Sequence, residues 1–535
     1  MEELMTHLPI LPILLPLLAG AAMLLLDERR YKVKAAIAVA TTVAVLIVAI
    51  VLLRAGGGGA AVYMLGNWVA PFGIALVADP LSVMMVALAS LLGLGTLLFS
   101  LARWDRAGPR FHALFMLLLM GVNGAFLTGD LFNLFVFFEV LLAASYGLVL
   151  HGSGDARVRA GLHYIAVNLL ASSLFLIGVA LIYGMSGTLN MADLVLRASG
   201  MAAADRALFD AGLGVLGVAF LIKAGMWPLG FWLPATYSAA SAPAAAVFAI
   251  MTKVGCYAVL RISLLLSAEG EGGFAGEWLY IGGLATLAYG SIVVLSSRTL
   301  SRIAAACVFI SSGTLLAAVG SGNQAALAGG LFYMVSSTLA IGAFFLLIEL
   351  INRVRGTNAP ALAQPVFSDE YHDPYEDGMP DDEEVVITPA AVALLSGGFL
   401  LCALLLAGLP PLPSFIGKFA IIAGLLGGGG VAVPDANWLL IGILTVSSLT
   451  TLVAMVRLGI EVLWVPKDEP PPKIMRIEFI AIAGLLLACV ILTVRGGAAF
   501  GYMEKTAFWL HSPQDYVAAV LEQIVAAPNE EEAQE

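Results

Sequence analysis

Fourteen stretches of this chain stay mostly apolar for about twenty residues, the length a helix needs to cross the hydrocarbon of a bilayer. They lie near 8–26, 33–53, 73–102, 110–128, 131–150, 161–184, 208–239, 243–266, 276–297, 301–319, 324–350, 387–427, 435–464 and 477–494, numbered here as segments 1 to 14. Charged residues make up only 12% of the chain, against about 25% in a soluble domain. Charges this sparse cannot cover the surface of a water-soluble fold of 535 residues. The fold class read from this pattern is an all-α membrane protein of about fourteen transmembrane helices, because a spanning helix satisfies its own backbone hydrogen bonds.

The net charge of −11 says little about partners, because the acids cluster in one loop, from Asp369 to Glu384, and in the tail, from Glu530 to Glu535. No basic patch is interleaved with exposed aromatics, which argues against a nucleic-acid surface. Cys256, Cys307, Cys402 and Cys489 each lie in an apolar stretch and form no CxxC, so they read as core residues rather than as a metal site, a cofactor site or a disulfide framework. The N-terminus lacks a basic n-region, and segment 1 reads as a retained helix.

Orientation follows from Lys and Arg between the segments. Arg29, Arg30, Lys32 and Lys34 follow segment 1, Arg103, Arg106 and Arg110 follow segment 3, and Arg157 and Arg159 follow segment 5. Arg298 and Arg302 follow segment 9, Arg353 and Arg355 segment 11, and Lys467, Lys473 and Arg476 segment 13. The alternate loops are poor in basic residues, apart from Arg197 and Arg206. Odd-numbered segments therefore end in the cytoplasm and both termini face outward.

Segments 7 and 12 carry internal breakers. Segment 7 reads FLIKAGMWPLGFWLP, with Pro228 and Pro234; segment 12 reads LLLAGLPPLPSFIGKF, with Pro410, Pro411 and Pro413. Proline removes a helical hydrogen bond and clashes with the preceding turn, so each segment is expected as two half-helices joined by irregular backbone. Such backbone survives at membrane depth only inside protein or beside water. Segment 7 is fourth in the run 4–8 and segment 12 fourth in the run 9–13, as two five-helix units of opposite orientation would place them. Matching breaks in inverted repeats point to a transport path.

Four ionisable residues lie well inside the apolar segments: Glu139 in segment 5, Lys223 before the break of segment 7, Lys253 in segment 8 and Lys418 after the break of segment 12. A charge at a helix centre costs about 2.5–3.5 kcal/mol on insertion scales. Desolvation penalises the ammonium and a neighbouring carboxylate restores it, so moving the partner charge would load or empty a buried lysine. Arginine stays charged and cannot do this. For Glu139 and Lys223 the competing reading is an ion pair that joins helices. Asp130 and Asp79 read as N-caps. His163 either extends a proton relay or packs at an interface. Ser311, Ser312, Ser336, Ser337 and Thr338 either line a hydrated path or bond across helices.

The stretches DLFNLFVFFEV, FLIKAGMWPLGFWLPATYSAASAPAAAVFAIMTKVG and AGLPPLPSFIGKF resemble the antiporter-like membrane subunits of Mrp-type cation/proton antiporters and of proton-pumping NADH:quinone oxidoreductases. The resemblance covers nearly the whole chain and is nearest to the D-type Mrp subunit. It implies two inverted five-helix repeats, with Glu139, Lys223, Lys253 and Lys418 as the proton-transfer residues. It also implies other Mrp subunits as partners in a bacterial inner membrane, and a monovalent cation, Na+ first, exchanged for protons. Where many relatives carry His or Lys on segment 11 this chain has Ser336, Ser337 and Thr338, so water held by hydroxyls would bridge the central path. The implied organisation is segments 1–3 over 1–109, a first repeat over 110–266, a second over 276–464 with an acidic loop at 351–386, and segment 14 with an acidic tail over 465–535. The alternative is the equivalent proton-pumping subunit of a respiratory complex. A membrane scaffold without transport is disfavoured, since it would gain nothing from buried Lys223, Lys253 and Lys418.

Overall fold

The computed structural model describes residues 7–55, 59–68, 73–152, 154–267, 275–354, 389–427, 433–463 and 474–526. The acidic loop at 366–384 and the acidic tail at 530–535 lie outside the described residues.

The helices, in chain order, are α1 (Leu11–Leu25), α2 (Tyr31–Ala55), α3 (Pro80–Ser100), α4 (Phe111–Leu127), α5 (Leu131–Leu150), α6 (Asp155–Ser186), α7 (Met191–Ser199), α8 (Ala203–Ala224), α9 (Leu233–Ala239) and α10 (Ala242–Leu265). They continue with α11 (Gly276–Ser296), α12 (Leu300–Gly320), α13 (Gln324–Val354), α14 (Pro389–Ala407), α15 (Pro413–Leu426), α16 (Asp435–Leu463), α17 (Arg476–Val494), α18 (Gly496–Leu510) and α19 (Pro513–Ala526). Among the described residues, twelve helices are long and apolar enough to cross a membrane. With α4, which is 17 residues long, and the interrupted pair α14–α15, they account for all fourteen segments.

The middle of the bundle is α10, α12 and α13. α10 is buried along its whole length and the other two nearly so. α1, α2 and α16 stand at the periphery and turn Leu25, Ile47, Val446 and Leu449 outward. An apolar outer face suits hydrocarbon, where a water-exposed helix would carry charges.

Segment 3 does not begin as helix. Residues Ala75–Ala78 form β2, which pairs antiparallel with β1 (Ala61–Met64), and α3 starts at Pro80. Asp79 caps it by accepting from the Ser82 amide at 2.8 Å, while the Ser82 hydroxyl accepts from the Asp79 amide at 2.9 Å. Asp130 caps α5 in the same way, accepting from the Asn133 amide at 2.8 Å. After segment 14, where the sequence promised only an acidic tail, α18 and α19 follow.

Several basic residues that read as loop charges are in fact buried. Lys34 donates to Glu28 at 2.8 Å. Arg353 joins Glu349 on its own helix (3.1 Å) to Glu478 at the start of α17 (2.6 Å). Arg157 donates to the carbonyls of His151 at 2.9 Å and Ala239 at 3.0 Å, tying the end of α5 to the end of α9. Burial pushes the His151 imidazole down to about 4, against the pull of the Trp104 carbonyl on its ring, so it is neutral at physiological pH. These side chains satisfy helix ends and each other, so the ends of the bundle are tied by buried polar contacts.

Candidate functional site

Both interrupted segments break in the same manner. α8 ends at Ala224, Gly225 takes φ +74°, and the Met226 amide turns back onto the Leu221 carbonyl at 3.0 Å. α14 ends at Ala407, Gly408 takes φ +73°, and the Leu409 amide turns back onto Leu404 at 3.0 Å. Glycine is the residue that adopts this left-handed cap without strain, and the cap satisfies the last carbonyls. Proline follows each glycine three residues on, as Pro228 and Pro411, with Pro410 beside the latter. Pro234 and Pro413 stand in the first turns of α9 and α15, where a missing N–H costs nothing.

Each break holds a lysine at its helix end. Lys223 is in the last turn of α8. Lys418 lies on α15 but reaches back, and its Nζ donates to the carbonyl of Ala407, the last residue of α14, at 3.4 Å. Lys223 thus stands in the last turn of one half-helix, and the Lys418 ammonium reaches the carboxyl end of another, where the partial negative charge favours a cation.

Lys223 is buried and donates to the Ser172 hydroxyl of α6 at 3.4 Å, with its Nζ 4.9 Å from the centre of the Phe138 ring. Ser172 in turn donates to Oε1 of Glu139, which is half-buried on α5. Glu139 and Lys223 are thus joined through a hydroxyl, and no direct ion pair forms between them. A hydroxyl that accepts from one group and donates to the other can shift both protons at once. Lysine then becomes neutral amine, the carboxylate becomes acid, and serine is unchanged.

Lys223 lines a small cavity together with Phe138, Tyr164, Asn168, Trp232, Tyr237 and Thr252, and this space reaches α10. Lys253 follows Thr252, is fully buried, and donates to Ser312 of α12 at 3.1 Å. Gly255 lets α10 press on the break, since a Cβ there would fall 2.4 Å from the Ala224 amide nitrogen. Between Lys253 and Lys418 lie hydroxyls. Ser311 and Ser337 share a hydrogen bond of 2.7 Å, and Ser414 of α15 donates to Ser336 at 3.3 Å. Gly417, whose Cβ would fall 2.8 Å from the Tyr333 amide nitrogen, lets α15 approach α13 this closely. Lys418 donates to Ser448 of α16 at 2.7 Å and lies 5.4 Å from the Tyr333 ring centre. Among the described residues no carboxylate stands within ion-pair distance of Lys253 or Lys418.

Two sequence candidates stand apart from this row. His163 is exposed on α6, with its ring 5.5 Å from that of Phe231, and lies outside this row of side chains. A helix turns by about 100° per residue. Tyr164, Asn168 and Ser172, spaced by four, face inward, and His163 is rotated off that face. Thr338 returns its hydroxyl to the Met334 carbonyl of its own helix at 2.6 Å. Ser172, Ser414 and Ser448 were missed. The i, i+4, i+8 spacing of Tyr164, Asn168 and Ser172 on an otherwise apolar helix was the signal that could have found the first of them.

The family model described as NADH:quinone oxidoreductase/Mrp antiporter, TM, matches residues 128–364, which hold Glu139, Lys223 and Lys253. A probable K(+)/H(+) antiporter subunit of the D type, from Rhizobium meliloti (strain 1021), is 51% identical, over 97% of this chain and 98% of its own length. The D-type Na(+)/H(+) antiporter subunit of Alkalihalophilus pseudofirmus is 33% identical, over 97% and 100%. Among solved structures, a chain of the Mrp complex from Dietzia sp. DQ12-45-1b superposes with a TM-score of 0.79 at 26% identity, covering 96% of this chain and 99% of that one.

Proposed function

The chain belongs to the NADH:quinone oxidoreductase/Mrp antiporter family, alongside the D-type antiporter subunits, and from that premise we propose that it is the proton-translocating membrane subunit of a multisubunit monovalent cation/proton antiporter. The carrying observation is the buried row that runs from Glu139 through Ser172 to Lys223, past Lys253 and the hydroxyls of α12, α13 and α15, to Lys418. In this reading Glu139, Lys223, Lys253 and Lys418 carry protons, and water held by the hydroxyls closes the intervals between them. The breaks at Pro228 and at Pro410–Pro411 let water and helix-end dipoles reach the two outer lysines. The cation is K+ or Na+, since the relatives include proteins named for each. Exchange driven by a pH gradient in everted vesicles, measured with each cation, identifies it. The partners are other Mrp subunits. Co-purification with them, without flavin or iron–sulfur absorbance, separates this reading from a respiratory complex.

In the same reading the subunit sits in a bacterial inner membrane with both termini outward and with segments 4–8 and 9–13 as inverted repeats. Two outcomes follow from the site. Ser172→Ala removes a bridge that no other described hydroxyl makes, and a hydrogen bond to a charged group is worth about 1.5–3 kcal/mol. Exchange should fall by about tenfold or more at a normal membrane level of the subunit, and Ser172→Thr, which keeps the hydroxyl, should restore most of it. Unchanged exchange in Ser172→Ala would mean that Glu139 and Lys223 communicate by another route. Deleting 366–384, a stretch rich in acids with two prolines, should leave vesicle exchange near normal. Complete loss in an assembled complex would show that this stretch gates transport or binds a partner.

A further inference from the structure

The two interrupted segments satisfy their irregular backbone differently. In segment 12 the amides of Gly408, Leu409 and Leu412 donate to carbonyls of the same segment, at Leu404, Leu405 and Leu409. Pro410, Pro411 and Pro413 have no N–H to satisfy. In segment 7 the Met226 amide likewise turns back to Leu221, but the Trp227 amide finds its acceptor on another helix. It donates to Oγ1 of Thr286, on α11, at 3.0 Å, and the Thr286 hydroxyl donates to the Gly282 carbonyl of its own helix at 2.6 Å. Thr286 is fully buried, and a backbone amide left unpaired in such a place is costly.

The same face of α11 receives the rest of the turn. Gly282, Thr286 and Tyr289 are spaced by four and then three residues, which sets them in line on a helix. A Cβ on Gly282 would fall 2.5 Å from Sδ of Met226, so this glycine makes room for that side chain, and the Trp227 and Tyr289 rings lie 6.1 Å apart. α11 is in turn seated on α12 backbone to backbone. A Cβ on Gly283 would fall 2.4 Å from the Ala317 amide nitrogen, and one on Gly313 would fall 2.6 Å from the Leu287 amide nitrogen. Helices in such close contact interlock and transmit a displacement as a unit. α12 also supplies Ser312, the acceptor for Lys253.

We propose that Thr286 is a positioning residue for proton exchange at Lys223, latching the break of segment 7 to the α11–α12 pair that also holds Lys253. The proposal rests on the proton-translocating reading given above. Lys223 stands four residues before Trp227, in the last turn of α8, whose end the latch fixes. The Trp232 indole holds that end from within segment 7, donating to the Ile222 carbonyl at 3.2 Å, and Thr286 adds a hold from outside the segment. The bond from Lys223 to Ser172 is 3.4 Å long, near the limit at which a hydrogen bond still forms. A slip of the helix end by about 1 Å would part the two groups, and a misplacement of that size can cost about a hundredfold in rate. Thr286 thus acts through the backbone and carries no proton itself. α11 opens the second repeat in the same reading, so the latch lets the position of one repeat bear on the proton site of the other.

Variants of Thr286 are compared in everted vesicles of the whole complex, with exchange normalised to the membrane level of the subunit. Thr286→Val keeps the shape and removes the acceptor, and exchange should fall about tenfold or more. Thr286→Ser keeps the hydroxyl and should retain most of the exchange. Thr286→Ala opens a space where a water can serve the amide without tying the break to α11. It should lose exchange several-fold, and it decides the question if the valine variant is missing from the membrane. Wild-type exchange in either the valine or the alanine variant would overturn the latch. Combining Thr286→Val with Ser172→Ala separates positioning from a general loosening of the fold. If Thr286 acts through the contact of Lys223 with Ser172, the double variant should exchange no worse than the weaker single variant. Independent effects would multiply to a loss of about a hundredfold and would overturn the proposal, as would normal exchange in Ser172→Ala alone. Lys223→Ala is measured alongside. Exchange lost there but intact in Thr286→Val and Thr286→Ala refutes the latch alone, and exchange intact in Lys223→Ala refutes the transport reading itself.

Discussion

Lys223→Ala and Glu139→Ala are each expected to abolish cation–proton exchange while the subunit remains in the membrane. The two residues stand on different helices and meet only through Ser172, so either substitution leaves the other with nothing to trade a proton or a charge with. A positioned proton-transfer group contributes about 10²–10⁴-fold, so exchange in everted vesicles should fall to background. Glu139→Gln sharpens the test, because it can still accept from Ser172 but carries no charge. It should fail like Glu139→Ala. If it exchanged normally, the hydrogen bond would matter and the carboxylate charge would not. Immunoblotting of the same vesicles guards against the other reading. Loss of the protein itself would make the Glu139–Ser172–Lys223 bridge a joint between helices. Wild-type exchange in both alanine variants would remove the pair from the transport path.

The fourteen segments were legible because crossing a bilayer is a rule about length and hydropathy, and both are written in the chain. The breaks were legible because proline acts locally, and the structure adds the left-handed caps at Gly225 and Gly408. What escaped the sequence depends on which way a side chain turns or on distant pairings. His163 and Tyr164 are adjacent, yet one faces out and the other in. Serine in an apolar helix commonly bonds back to its own helix, as Ser145 and Ser186 do. Nothing local marks Ser172 as the exception that bridges two other helices. Asp79 and Arg261 are 182 residues apart, and Arg353 and Glu478 are 125 apart, so neither pair leaves a spacing signal. α18 and α19 are too short and too polar to pass a test for spanning helices, although they cover the end of α10.

Lys418→Arg should assemble and yet fail to exchange, much like Lys418→Ala. Lys418 is buried and held by the Ser448 hydroxyl and the Ala407 carbonyl at the end of α14. Every one of these contacts can be kept by a guanidinium, and the helix end favours any cation. The difference between the two side chains is chemical. An ammonium in a buried, water-accessible site can lose a proton, whereas a guanidinium keeps its proton at any pH a cell meets. If the residue served only as a fixed positive charge, arginine would do as well. Space is the one confounding factor, since a Cβ on Gly408 would already lie 3.3 Å from Nζ. Membrane level and co-purification of the other subunits must therefore be measured with the exchange rate. An assembled Lys418→Arg complex without exchange makes Lys418 a proton carrier at the end of the row. Full exchange from about pH 7 to about pH 9, where arginine stays charged throughout, would make it an electrostatic fixture. The row would then have to end at the hydroxyls of α13 and α15.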